Sequence, residues 1–355
     1  MRKLAEQQLR DIVIGAGLLG AGGGGSTAEG LKLVDRVLEY GDAVTLASPE
    51  ELAASSWGAV IAGVGSPKSS LKRVRSVSPT MALELLAKEL NREFSFVIPF
   101  ELGAGNSLNP MLAAIQKNLP MVDGDPCGRA VPEIHMTTFY LGGIPVTPLA
   151  LATEDKITAL ISTPEAYDAE RVTRAITAEL AGVSAIAAQA MSVEDLKRLV
   201  IPGTTTLVER IGAAIREVRA SRGDIASELI KRFGGYLLGK GRIAKLSGET
   251  KGGFDFGTAE VKGELPVRIH FQNESMIAFR DGKLLAVVPD LICCLDREGN
   301  PLTNADLQKG METTYIGFSA QPQFRGPEVY GLFSPILEQL GYKEGFRPIE
   351  KLAGR

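Results

Sequence analysis

The chain has 355 residues, 45% hydrophobic and 23% charged, which fits a globular protein of about two domains and excludes a disordered chain or a coiled coil. A formal net charge of −3 argues against a nucleic-acid binder, because such proteins carry a basic footprint. Three cysteines, Cys127, Cys293 and Cys294, build no disulfide framework and point to a reducing cytoplasm, and two histidines exclude a histidine-rich metal site.

The first half alternates helix and strand signals. Residues 11–19 are apolar and fit a strand or the first turns of a helix. A glycine run follows, Gly20-Ala21-Gly22-Gly23-Gly24-Gly25, and Ser26 or Thr27 then caps a helix to about residue 40, ended by Gly41. Strands are expected over 43–47 and 57–64, a helix over 78–90 with Ser78 and Pro79 at its start, and a strand over 94–99. A helix over 109–117 and a strand over 119–123 complete the alternation. This spacing predicts an α/β domain with a mainly parallel sheet covered on both faces. Beyond Thr153 come a strand over 157–162 and helices over 164–180, 193–199, 205–219 and 224–233. After Gly234-Gly235 the chain turns β-rich, with seven strand candidates between 241 and 319 and a hairpin at Asp281-Gly282. The expected division is an α/β domain over 1–165, then a helical segment and β-rich domain over 166–355. The charged first ten residues do not read as a signal peptide, and no uncharged apolar run reaches about 18 residues, so no membrane association is expected.

Four places concentrate chemistry. Gly15, Gly17 and Gly20 match the dinucleotide fingerprint GxGxxG, but Asp35, at the distance of its acidic partner, falls mid-helix. The bare amides of Gly22, Gly23, Gly24 and Gly25 before a capped helix suit a carboxylate or phosphate, or simply a tight turn. Glu101 stands just past the end of the third strand, beside glycines and Asn106, where open α/β sheets collect ligands. The densest cluster is Asp123, Asp125, Cys127, Arg129, Glu133 and His135. Paired carboxylates there can divide the roles of acid and base, and Arg129 can clamp a substrate carboxylate or pin the loop through an Arg–Asp pair. His135 reads equally as structural or as a ligand, and His270 as structural. Asn273 with Glu274, and Asp290, interrupt apolar runs in the second half, either as turn residues or as groups carried to a domain interface.

Several segments together resemble the S-methyl-thiohydantoin desulfurase family, often described as hydantoinase-like. They are Leu19-Gly20-Ala21-Gly22-Gly23-Gly24-Gly25, Val122-Asp123-Gly124-Asp125 with Gly128-Arg129-Ala130-Val131-Pro132-Glu133, Met136-Thr137-Thr138, Phe271-Gln272-Asn273-Glu274 and Pro289-Asp290-Leu291-Ile292. The similarity runs over about residues 11–335. It departs from the family pattern at Ala21, where Thr is common, and at His135, where Gln is usual. The resemblance implies an N-terminal α/β domain, a β-rich C-terminal domain, and removal of sulfur at C2 of a thiohydantoin to leave a hydantoin. On that chemistry Asp123 or Asp125 is the expected general base, Arg129 holds a carboxylate or oxyanion, and Glu101 orients the ring or joins the Asp pair around a divalent metal. Cys127 is a second, covalent route, and Glu133 is a further expected catalytic residue. Gly22, Gly23, Gly24, Gly25, Asn106, Asn273, Glu274 and Asp290 are the expected substrate-binding residues. The expected partner is a small hydantoin-like ring, with self-association or a hydantoinase-type partner left open. Two other classes compete with this hydrolase reading: a non-catalytic partner of a hydantoinase or oxoprolinase-type enzyme, and a dinucleotide-binding oxidoreductase.

Overall fold

The computed structural model describes residues 1–65, 74–180, 182–251 and 254–353. In chain order the first part runs β1 (Arg2–Leu4), α1 (Glu6–Leu19), α2 (Thr27–Leu38), β2 (Val44–Ala47), β3 (Trp57–Gly65), α3 (Ser78–Glu89), β4 (Phe96–Pro99), α4 (Asn109–Lys117), β5 (Met121–Val122) and β6 (Gly124–Asp125). It continues with α5 (Thr138–Leu141), β7 (Leu149–Ala152), β8 (Thr158–Ile161), α6 (Ala166–Leu180), β9 (Val183–Ser192), α7 (Val193–Leu199), β10 (Ile201–Pro202), α8 (Thr204–Ala220) and α9 (Ile225–Phe233). The remainder is β11 (Tyr236–Lys251), β12 (Phe254–Leu265), β13 (Val267–Gln272), β14 (Glu274–Arg280), β15 (Lys283–Val287), β16 (Leu291–Asp296), β17 (Pro301–Leu302), β18 (Glu312–Phe318), α10 (Pro327–Gln339) and α11 (Ile349–Leu352).

The first eight-stranded sheet has the order β1-β2-β5-β4-β3-β9-β7-β8. Its centre is parallel at β2–β5, β5–β4 and β4–β3, while β1–β2, β3–β9, β9–β7 and β7–β8 are antiparallel. The sheet is therefore mixed rather than mainly parallel. The difference comes from β9, a strand with no clear signal in the sequence. Its run of small residues, V-S-A-I-A-A-Q-A-M-S, lies almost wholly buried beside β3 and shows no polar face. Side chains of β3 alternate between two cores, Ala59 and Ile61 on one side and Val60 and Ala62 on the other. The first core holds residues of α1, α2, α3, α4 and α8, the second those of α7 and α10.

The second eight-stranded sheet, β15-β14-β13-β12-β11-β18-β16-β17, is antiparallel at every pairing. Its hairpin at Asp281 and Gly282 has both residues in the left-handed region, φ 49° and 77°, as a type I′ turn requires. Leu291, Cys293 and Ile316 from this sheet enter the first core, and Met276 and Val287 the second, so the two sheets share their interiors. The sheets do not separate at residue 165: after it the chain still supplies β9 to the first sheet and α8 to the packing against α1, and it crosses to the second sheet only beyond Phe233.

The GxGxxG reading fails on packing. All of residues 6–19 are helical, and Gly15 and Gly212 let α1 and α8 cross in backbone contact. A Cβ on Gly15 would stand 1.8 Å from the Val208 carbonyl oxygen, and one on Gly212 the same distance from that of Asp11. Asp35 lies in α2 and accepts from Arg10 Nη2 at 2.9 Å. No strand precedes these glycines in the way a dinucleotide-binding turn needs.

Candidate functional site

The parallel strands β3 and β4 end at the same edge of the first sheet, and a cavity of about 390 Å³ lies beside their ends. Its walls include Gly22–Gly25, the end of β3, Glu101, Asn106, residues 131–134, four residues of α6, and Asn273, Glu274 and Asn304 from the C-terminal part. A size of several hundred Å³ at strand C-termini and between two layers is that of a small-molecule site.

The glycine loop is shaped by close approach. Ala21, Gly22, Gly24 and Gly25 all have positive φ. The Gly24 carbonyl accepts from the amides of Gly105 and Asn106 at 3.0 and 3.1 Å, which presses the loop onto the segment after β4. Ser275 N donates to Ala21 O at 2.8 Å and Asn304 N to Gly22 O at 2.9 Å, so the second sheet grips the same loop. A Cβ on Gly23 would fall 1.8 Å from Oε1 of Glu274. The missing side chain is the space that the glutamate occupies.

Two buried carboxylates, Glu101 and Glu274, line this junction. Glu101 Oε1 accepts from Asn106 Nδ2 at 2.6 Å and Oε2 from Val131 N at 2.8 Å. The Asn106 amide is itself oriented, its Oδ1 accepting from Gly63 N at 2.8 Å and Asn109 Nδ2 at 3.2 Å. Burial, and then the Glu274 charge, push the Glu101 carboxyl well above its ordinary range. Burial likewise lifts Glu274 to about 7, against the pull of the Arg129 guanidinium. Glu274 Oε2 is buried without a hydrogen-bond partner. Farther along the wall, burial and Glu170 raise Glu133 to about 7. Two ion pairs, Glu29–Arg75 at 2.8 Å and Glu170–Arg174, also stand in the wall.

Gly22, Gly23, Gly24, Gly25, Glu101, Asn106, Glu133, Asn273 and Glu274 thus line one cavity. Asp123, Asp125, Cys127, Arg129 and Asp290 do not, and each has a structural task. Asp123 accepts from Thr206 N at 2.9 Å and Oγ1 at 2.5 Å, holding the first turn of α8. Asp125 Oδ1 accepts from the amides of Cys127 and Gly128, both at 2.7 Å, and closes its own loop. The Cys127 thiol faces the carbonyls of Phe100 and Met136 at 3.5 Å, and burial pushes its pKa well up, which removes the thiolate a nucleophile needs. Arg129 is fully buried, and it spends its donors on the carbonyls of Ala130, Pro289, Asp290 and Ser275, leaving no fork for a substrate. Asp290 accepts from Ala320 N, Ile349 N and Arg325 Nη2, and so ties down the C-terminal segment. Asn273 reaches the cavity, but its Oδ1 accepts from Asp255 N at 2.9 Å. The arrangement in which Glu101 and the Asp pair share a metal therefore does not form. Among the described residues no three His, Cys, Asp or Glu side chains are placed to hold a metal ion.

Sequence reasoning missed Glu29, Arg75, Glu170, Arg174 and Asn304. Glu29 has the spacing of a capping-box residue after Ser26, and Ser26 Oγ does accept from Glu29 N at 3.2 Å, but the Glu29 carboxylate turns to Arg75 instead. Glu170 and Arg174, four apart on α6, read as an ordinary helix pair.

A shared interior, a cavity at the sheet edge and ionisable groups raised by burial define a two-sheet α/β protein with a candidate site between its layers. Its kin are specific. The S-Me-THD-like N-terminal domain matches residues 7–163 and the S-Me-THD-like C-terminal domain residues 164–349, and the chain belongs to the S-methyl-thiohydantoin desulfurase family. An X-ray structure of a protein from Chromobacterium violaceum is similar over 98% of this chain and 100% of its own, with a TM-score of 0.85 and 23% identity, a likeness of fold. None of the curated proteins matches the chain. Among the described residues no helix is long and apolar enough to cross a membrane.

Proposed function

We propose that this protein hydrolyses an S-methyl-thiohydantoin to a hydantoin and methanethiol in the cavity between the two sheets. The observation that carries the reading is the Glu101–Glu274 pair, one carboxylate from each sheet, both lifted by burial and both lining the cavity. Family membership supports the substrate class.

C2 of the ring, bonded to two nitrogens and to sulfur, is the electrophile. Two carboxyls buried in one cavity are not both ionised, which leaves one protonated and the other free to act as a base. Glu101 has both oxygens committed to fixed donors, so Glu274, with Oε2 unpartnered, takes the proton of the attacking water. The C2–O bond forms as the C2=N electron pair moves onto the ring nitrogen, which takes a proton; the hydroxyl of the tetrahedral intermediate then gives up its proton as it becomes the carbonyl, and the C2–S bond breaks. Sulfur leaves with its electron pair, takes a proton and departs as methanethiol. One water is consumed and nothing is oxidised or reduced. The glycine loop positions the ring against the pair.

The test measures thiol release and hydantoin formation from S-methyl-thiohydantoins. Glu274→Gln is expected to lower turnover by roughly 10²–10⁴-fold with its circular dichroism unchanged. Full turnover in that variant moves the base elsewhere, and a wild-type protein inert towards every such substrate overturns the reading.

A further inference from the structure

Glu133 stands in the cavity wall with no structural task. Its neighbours on both sides are tied to α6: Arg174 Nη2 donates to Pro132 O at 2.9 Å, and Ile134 N donates to Glu170 Oε2 at 2.8 Å. The backbone on either side of Glu133 is therefore fixed. Its own carboxylate makes no hydrogen bond among the described residues, although its side chain is only 12% exposed. Glu133 Oε2 lies 3.6 Å from Nδ1 of His135, just beyond hydrogen-bond range. That nitrogen is buried without a hydrogen-bond partner, and the imidazole stands edge-on to Tyr140 with ring centroids 5.7 Å apart. A rigidly presented acid thus faces the cavity, with a proton-carrying ring behind it.

We propose that Glu133, backed by His135, is the general acid that protonates the departing thiolate, while the Glu101–Glu274 pair serves the attacking water. This rests on the desulfurase reading. The groups facing Glu133 are Glu170 and Arg174 of α6 and His135 of its own segment, with Asp255 of β12 in the same cavity. Burial and the Glu170 charge hold Glu133 at about 7, against Arg174, so much of it carries a proton at neutral pH. Burial lowers the pKa of His135, so its ring is neutral there. As C2–S breaks, the Glu133 proton moves to sulfur. Glu274 then releases the proton taken from water to solvent, and Glu133 regains one through His135. In the net balance one proton of the attacking water ends on the thiolate and the other on the ring nitrogen.

Leaving-group dependence tests this. A methyl thiolate is more basic than an aryl thiolate, so its departure gains more from a general acid. Glu133→Gln is expected to slow thiol release from the S-methyl substrate by roughly 10²–10⁴-fold, and to leave release from an S-aryl-thiohydantoin near the wild-type rate. His135→Gln is expected to shift the pH profile with the S-methyl substrate and not with the S-aryl one. Equal losses on both substrates, the mark of a structural role, overturn the assignment, as does an unaffected S-methyl rate. A wild-type protein that releases neither thiol overturns the underlying reading, a result distinct from both.

Discussion

Glu274, Glu133 and Asp125 are carboxyls that bind a proton more tightly in the folded protein than in the open chain, with pKa values near 7, 7 and 6. In each case burial is the largest cause, because it disfavours the charged form. A pKa raised by folding contributes stability that is complete below the ordinary carboxylate range and is lost as pH rises through the folded value. Between about pH 4.5 and 7 the native state therefore holds protons that the unfolded chain has released. The melting temperature is expected to fall from pH 5.5 to pH 8. Glu274→Gln, which cannot ionise, is expected to shrink that difference, whatever it does to stability at any single pH. Parallel melts of the two proteins across the range check this, and identical pH slopes would contradict the buried, proton-binding state of Glu274.

At the level of elements, the glycine loop between α1 and α2 is the piece on which the others close. Gly24 has φ 72°, and a Cβ there would stand 2.6 Å from the Gly103 Cα and 2.8 Å from the Leu102 carbonyl oxygen. Gly24→Ala meets a left-handed conformation costing about 1–2 kcal/mol and a backbone clash that no side chain can relieve. It is expected to lower the denaturant midpoint and to weaken ligand binding together, whereas Gly143→Ala, at φ 90° with open space around it, pays only the conformational part. This loop was legible in the sequence as a run of bare amides before a Ser-capped helix, and Glu101 as a carboxylate past a strand end. The acidic cluster misled, because Asp123 and Asp125 alternate with loop glycines and look like an exposed pair. Their targets, the start of α8 some eighty residues on and the amides of Cys127 and Gly128, depend on how the loop folds back. Likewise β9 could not be read, since an alanine-rich strand buried on both faces has neither the alternation of a strand nor the stripe of a helix.

Across the whole molecule, the cavity belongs to neither sheet alone. Glycine-loop, β4-end and α6 residues form one side, and the start of β14 supplies Glu274 to the other. The family domains divide at residues 163 and 164, yet β9 and α8 carry the second stretch back into the first sheet before the chain crosses over. The division seen in sequence and the division seen in space differ, so a fragment ending near 165 lacks a central strand of its own sheet. The contact of Gly23 with Glu274 carries this interdependence into the history of the chain. Only a residue without a side chain leaves room for the side chain that stands there. Positions 23 and 274, far apart in sequence, are expected to have been substituted in concert among relatives. Lineages that acquired a side chain at 23 should carry a shorter residue at 274, and aligned sequences in which the two vary independently would show that the contact imposes no such constraint.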